Sequence, residues 1–279
     1  MGQVLFVVWR ESFEALLVIG IIYAWIKHHP DARNGMRFLW TGVALGLLIS
    51  ILLALLIYGV FNILDDTGQS LFMIFMEFLA CILIVQMVYW MNKHGRSLKS
   101  EIESGISRNA ERHNWWGAAL IIAIAIAIAR EGSEIVVFLS SFIMSLNAEN
   151  ASGFALEVAG GVLIAGLTLY AFLLTNRFIS WKLFFKITGV VLLFLALSLL
   201  LKGVEESANL LIEYDYAIPE FLIYPAWDTT ALLDDSNIVG NFISSFFAYR
   251  SQPIWLSVIT FVIYWIVVIA LFSRSKKHA

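Results

Sequence analysis

The chain has 279 residues, of which 60% are hydrophobic and 14% charged, and its formal net charge is -3. Its mean hydropathy is +0.83. A water-soluble domain carries about a quarter of its residues as Asp, Glu, Lys or Arg and about half as apolar ones, so this composition excludes a soluble globular protein.

Long uncharged apolar runs recur along the chain, and inside a bilayer only helices or closed barrels satisfy the backbone polar groups. The short alternating segments of a barrel are absent, so the expected class is an all-α polytopic membrane protein. Cys81 is the single cysteine and lies in an apolar run, which excludes an intrachain disulfide and a thiolate zinc site. No Lys or Arg precedes Arg10, so the basic region of a secretory leader is missing and the first apolar run is expected to stay as a span.

Seven runs are long enough to cross the hydrocarbon core. In chain order they are Val4–Ile26, Phe38–Val60, Leu71–Asn92, Trp116–Met144, Phe154–Thr175, Phe184–Gly203 and Ile254–Phe272. The alternating Ile-Ala stretch Ile122–Ala129 has the period of a strand but sits within the fourth of these runs, so it is read as helix. Trp9, Trp90, Trp115 and Trp181 fall near span ends, as interfacial anchors do.

Basic residues favour the cytoplasmic side. They gather in alternate loops: Lys27, Arg33 and Arg37; Lys93, Arg96, Lys99, Arg108 and Arg112; Arg177, Lys182 and Lys186; then Arg274, Lys276 and Lys277 in the tail. The N-terminus is therefore expected outside and the C-terminus inside, with Lys202 and Arg250 left on the outer side.

The expected organisation is one membrane domain over 1–279. It comprises a three-helix unit at 4–92, a second of inverted topology at 116–203, an acidic outer segment at 204–253 and the seventh span at 254–272. The outer segment holds Asp228, Asp234 and Asp235, which would form an acidic entrance that raises the local cation concentration. Acidic residues also collect on an outer face simply because basic ones are kept from it.

Ionisable groups inside spans cost several kcal/mol unless paired, hydrated or bound to an ion. Arg10, Glu11 and Glu14 lie in the first span, Glu77 in the third, and Arg130, Glu131 and Glu134 in the fourth. The two groups share the pattern Arg-Glu-x-x-Glu. Residues three apart share a helix face, so each span offers a carboxylate pair, and each Arg stands four residues from its own second Glu. Spans one and four run antiparallel, which suggests a site at the interface of two inverted repeats near mid-membrane.

Four carboxylates, with Glu77 as a fifth candidate, and no soft donor define a site for hard cations. All five histidines, His28, His29, His94, His113 and His278, fall in expected inner loops or the tail, so a haem ligand or a Glu-x-x-His di-iron signature is missing. Five carboxylates against two guanidiniums leave three negative charges, the formal complement of a trivalent cation. The plainer readings are that the Arg-Glu pairs lock helices together and that Glu77 is hydrated near the outer end of its span.

These residues resemble the oxidase-dependent iron permease family, the iron/lead permeases. The likeness rests on Arg10 to Glu14, Arg130 to Glu134, Met76-Glu77-Phe78 leading to Trp90-Met91, and Trp227-Asp228 through Asp234-Asp235-Ser236 and Gly240 to Tyr249-Arg250 and Pro253. It implies seven spans, an outer N-terminus and import of iron, usually ferric ion made by a partner oxidase.

Residue by residue, the resemblance implies Glu11, Glu14, Glu131 and Glu134 as iron ligands with Arg10 and Arg130 in support. Ser12 departs from the Gly that many members carry. The resemblance further implies a multi-pass protein of the bacterial inner or plasma membrane. Iron is the transported substrate, no organic cofactor or nucleic acid takes part, and the oxidase or iron-delivery component is a separate protein on the outer face. An oligomer is compatible with this reading. The alternatives are a permease for manganese, lead or another hard or divalent ion, a heptahelical receptor and an embedded metalloenzyme. The seventh span has no Lys for a retinal Schiff base, and no His ligands support the last.

Overall fold

The computed structural model describes residues 2–28, 34–94, 116–144, 146, 150–174, 181–216, 218–235 and 237–277. Outside them lie the expected loop residues His29, Arg33, Arg96, Lys99, Arg108, Arg112, His113, Trp115 and Arg177, together with Glu149, Ser236 and His278. The side chains of Lys93, His94, Trp181, Lys182, Arg274, Lys276 and Lys277 also fall outside the description.

The described residues form helices α1 (Gln3–His28), α2 (Gly35–Ile63), α3 (Asp66–His94), α4 (Trp116–Met144), α5 (Ala151–Leu174), α6 (Trp181–Glu213), α7 (Glu220–Ile223), α8 (Ile238–Phe247) and α9 (Trp255–Lys277). The one β feature among them is an isolated antiparallel bridge between Pro225 and Ile254. Among the described residues, five helices are long and apolar enough to cross a membrane by length and composition: α2, α3, α5, α6 and α9. The helices carrying the two charged motifs, α1 and α4, have 26 and 29 residues. At about 1.5 Å per residue each exceeds the roughly 30 Å of a hydrocarbon core.

The Ile-Ala stretch is helical, and its burial shows why. Leu120, Ile124 and Ile128 are buried at spacings of four while Ile122 and Ile126 are exposed, which is the helical period and not the alternation of a strand. One expectation is corrected. The helix of the sixth run does not end at Gly203: α6 continues to Glu213, so Glu205, Glu206 and Glu213, expected in the segment 204–253, are helical.

By internal packing the chain divides into two units. One contains Val4–Gly59 and His94–Lys182, which brings α1 and most of α2 together with α4 and α5. The other contains Met1–Gln3, Val60–Lys93 and Leu183–Ala279, and so α3, most of α6, and α7 to α9. Each unit therefore draws helices from both halves of the sequence.

In the first unit Ile22 and Ile26 of α1, Leu39 and Val43 of α2, and Leu120, Ile124 and Ile128 of α4 form one apolar cluster. Small residues set how closely α2 and α4 approach, as they do where packing alone holds helices together. A Cβ at Gly42 would stand 2.8 Å from Ile124 Cβ, and one at Gly46 would stand 2.7 Å from Ile128 Cβ and 2.9 Å from the Ala125 carbonyl. The other face of α2 is exposed and apolar through Leu47, Leu48, Ile51 and Leu55, as a lipid-facing surface is.

In the second unit α6 is the most enclosed helix, with Leu192, Leu195, Ala196 and Leu197 fully buried. Tyr264 of α9 donates its hydroxyl to the Leu193 carbonyl at 2.7 Å. The α2–α4 contact yields a direct test. Gly46→Ala forces backbone apart and should lower stability by about 1–3 kcal/mol. Gly59→Ala, where nothing lies within 4 Å of the added carbon, should be neutral or stabilising. Unfolding midpoints of the two purified variants in the same detergent check this.

Candidate metal site on helices α1 and α4

On α1, Val4, Val7 and Val8 are buried at helical spacing, and Glu11 continues the same face. Trp9 fixes the neighbouring face by donating its indole N–H to Thr168 Oγ1 on α5 at 3.0 Å. Gly161 lets α5 come close at this level, since a Cβ there would stand 2.9 Å from the Leu5 carbonyl. Arg10, 1% exposed, is thereby carried into the interior.

Its guanidinium holds both motif carboxylates, with Nη1 2.6 Å from Glu11 Oε1 and Nη2 2.5 Å from Glu14 Oε1. Such charge-assisted contacts are short and strong, and the fork of the guanidinium suits two acceptors.

On α4 the buried series Leu120, Ile124 and Ile128 leads to Glu131, which is also buried. Gly132 is required here by packing, because the Ser50 side chain of α2 occupies the space a Cβ would need. At the matching place in α1 stands Ser12, which is only partly buried. The departure noticed in the sequence therefore falls where contact is looser, and the glycine is kept where α2 presses closest.

The second arginine behaves differently from the first. Arg130 is 42% exposed and its Nε lies 3.3 Å from Glu134 Oε1. Two identical motifs thus give two different clamps.

Glu11, Glu14 and Glu131 come together, each offering one carboxylate oxygen, with these atoms within 4.8 Å of one another. Glu134 is engaged with Arg130 beside them. Oε2 of Glu11 and Oε2 of Glu131 are buried and accept no hydrogen bond among the described residues.

Buried carboxylate oxygens without donors are costly, and a cation is the natural partner for them. Hard cations keep roughly 2.0–2.6 Å from carboxylate oxygens, so two ligand oxygens stand at most about 5 Å apart. The three oxygens, all within 4.8 Å of one another, fall inside that range and could converge on one hard ion.

Glu77, expected as a fifth ligand, lies in the other packing unit. It is on the buried face of α3 with Ala80, Cys81 and Ile84, and its Oε1 is 2.7 Å from Lys202 Nζ of α6. The two motifs by themselves hold four carboxylates and two guanidiniums, a surplus of two negative charges.

Lys202, expected on the outer side at the end of the sixth run, was not paired with Glu77 from the sequence. The signal was present: a lone Lys in an apolar run is the natural partner for a lone buried Glu.

The outer aspartates are tied into the segment that carries them. Asp228 Oδ1 accepts from the Thr230 backbone N–H at 3.0 Å and hydroxyl at 2.6 Å, and Oδ2 from Gln252 Nε2 at 2.9 Å. The Thr230 bonds hold Asp228 below the usual carboxylate range. Asp235 accepts from the Ser251 backbone N–H at 3.1 Å and also from its hydroxyl. Burial pushes Asp235 upward, but the two Ser251 donors outweigh it and its pKa is lowered. The Asp234 carbonyl accepts from the Asn237 N–H at 3.1 Å. With Thr229 N–H on the Ser251 carbonyl at 2.9 Å, these bonds knit 224–235 to 249–255.

Apolar helices of membrane-crossing length and a buried carboxylate cluster for a hard cation define a multi-pass membrane protein that handles metal ions. The chain belongs to the Iron permease FTR1 family, which it matches over residues 1–274, and is thus a transporter and not an enzyme. Similar proteins include the ferrous iron permease EfeU of Shigella sonnei (strain Ss046), 26% identical over 269 residues covering 96% of this chain and 94% of that protein. The ferrous iron permease EfeU of Yersinia pestis is 26% identical over 279 residues, covering 97% and 93%. No solved structure matches the chain.

The unequal clamps make a prediction. Arg10→Met leaves two buried carboxylates unpaired and should cost about 3–5 kcal/mol. Arg130→Met removes a half-exposed partner and should cost about 1 kcal/mol or less. Denaturant midpoints of the purified variants measure the difference.

Proposed function

We propose that this chain imports iron through the carboxylate cluster of α1 and α4. The ion is ferric, made by a separate oxidase on the outer face. The observation that supports this most is the convergence of Glu11, Glu14 and Glu131 oxygens within 4.8 Å, two of these residues having a buried Oε2 without a donor. Oxygen donors alone, with no thiolate or imidazole in the cluster, suit iron better than copper or zinc.

In this reading the chain spans the membrane seven times with its N-terminus outside, in the bacterial inner or plasma membrane. Its two halves are related by inverted topology. Iron reaches the outer acidic segment, passes to Glu11, Glu14 and Glu131, and leaves toward the cytoplasm. Arg10 fixes two of the ligands, and Glu134 with Arg130 forms the adjacent, more open pair. The membrane field contributes about 2.3 kcal/mol per charge per 100 mV to inward movement.

A second reading, passage of the ferrous ion itself, is favoured by the two net negative charges of the motifs. The relatives named above are called ferrous iron permeases.

Iron uptake into vesicles reconstituted with the purified chain tests both. Glu11→Gln, Glu14→Gln and Glu131→Gln should each lower uptake by about tenfold or more, equivalent to about 1.4 kcal/mol. Glu134→Gln should have a smaller effect. Undiminished uptake in the first three removes the proposed site. Uptake supported by ferric citrate but not by ascorbate-reduced iron upholds the ferric reading, and the reverse pattern upholds the ferrous one.

A further inference from the structure

A second group of charges lies wholly within the other packing unit. Glu77 of α3 is 1% exposed. It stands eleven residues into its helix, about 16 Å along the axis, too deep to be reached from the helix end. Its Oε1 contacts Lys202 Nζ at 2.7 Å, and the same ammonium lies 3.5 Å from Glu206 Oε1, one turn further along α6. Glu77 Oε2 is buried and accepts no hydrogen bond among the described residues. It faces Gly203, where an added Cβ would come within 3.3 Å of it. The glycine thus allows α6 to lie close against the carboxylate.

The neighbouring Glu205 is committed elsewhere. Its Oε2 lies 3.4 Å from Arg250 Nε and its Oε1 accepts from Ser257 Oγ at 2.9 Å, tying α6 to the outer segment and α9. Arg250 is itself held by Ser244 Oγ at 2.7 Å.

The remaining arrangement is therefore one ammonium between two carboxylates. Its parts differ in mobility. Glu77 is enclosed and fixed by packing, whereas the Lys202 side chain is 45% exposed on a flexible four-carbon stem and can withdraw. Two carboxylates and one ammonium carry a net charge of minus one, which leaves an attraction for cations that a single tethered ammonium does not cancel.

We propose that Glu77 and Glu206 form a second cation site, separate from the α1–α4 cluster, which Lys202 fills with its own ammonium until a hard divalent cation displaces it. The tethered ammonium keeps a buried carboxylate neutralised while no ion is present, which avoids the large cost of an unpaired buried charge. A divalent ion offers two charges for one and needs only one or two carboxylates, with water completing its shell. Lys202 thereby sets a concentration threshold: weakly supplied cations fail to displace it. The inference does not depend on the α1–α4 reading, apart from taking iron as the cargo that would use both sites.

The test uses the full chain purified in detergent, with manganese(II) alone as the probe and free ion measured by electron paramagnetic resonance. A Glu11→Gln/Glu131→Gln background silences the α1–α4 cluster, so a failure there cannot be mistaken for a failure here. In that background Lys202→Met and Lys202→Gln should each create one manganese site per chain, at least about tenfold tighter than any remaining binding. Lys202→Arg should create none, and adding Glu77→Gln should remove the gained site. Absence of the site in Lys202→Met or Lys202→Gln protein that elutes as a single folded species overturns the proposal, as does a gained site that survives Glu77→Gln.

Discussion

The geometry of the candidate metal site depends on one buried guanidinium. Arg10 is almost fully enclosed and binds Glu11 and Glu14 through separate nitrogens, so two carboxylates that would repel each other are held side by side. Burying any one of these charges alone would be prohibitive; together they form a compact unit with a surplus negative charge. That surplus is completed by Glu131 from α4, whose position is set by the Leu120–Ile124–Ile128 stripe and by the close approach of α2 at Gly42, Gly46 and Gly132. Small-residue packing and the arginine clamp are therefore two halves of one device. The first sets the distance between helices, and the second sets the orientation of the ligands.

The same logic separates the two motifs. Identical spacing in sequence does not produce identical environments, because exposure depends on what each helix packs against. Arg10 lies under α5, which closes on α1 through Gly161 and Thr168. Arg130 projects from a half-open surface, with its Nε 3.3 Å from Glu134 Oε1. The candidate site thus has one enclosed arginine and one half-exposed arginine.

Much of this was legible beforehand. Apolar runs located the helices, helical spacing placed each carboxylate pair on one face, and the repeat of Arg-Glu-x-x-Glu singled out α1 and α4. What composition hid was rotation and length. Nothing in the spacing reveals that Glu131 joins Glu11 and Glu14 while Glu134 turns to Arg130, since that follows from the roll of α4 against Ser50. The polar sequence after Gly203 resembled a loop, yet α6 continues through Glu206 to Glu213, and Glu206 meets the Lys202 ammonium that also holds Glu77. The contact of Glu77 with Lys202 within the second unit was likewise hidden, and the two motifs taken by themselves carry a surplus of two negative charges.

The most direct measurement is an anomalous difference map at the iron absorption edge, from crystals of the full chain grown with iron. The account predicts a peak within roughly 2.0–2.6 Å of carboxylate oxygens from Glu11, Glu14 and Glu131, with Arg10 still bound to the first two. Ordered iron confined to the outer aspartates, with those three carboxylates unliganded, would contradict it.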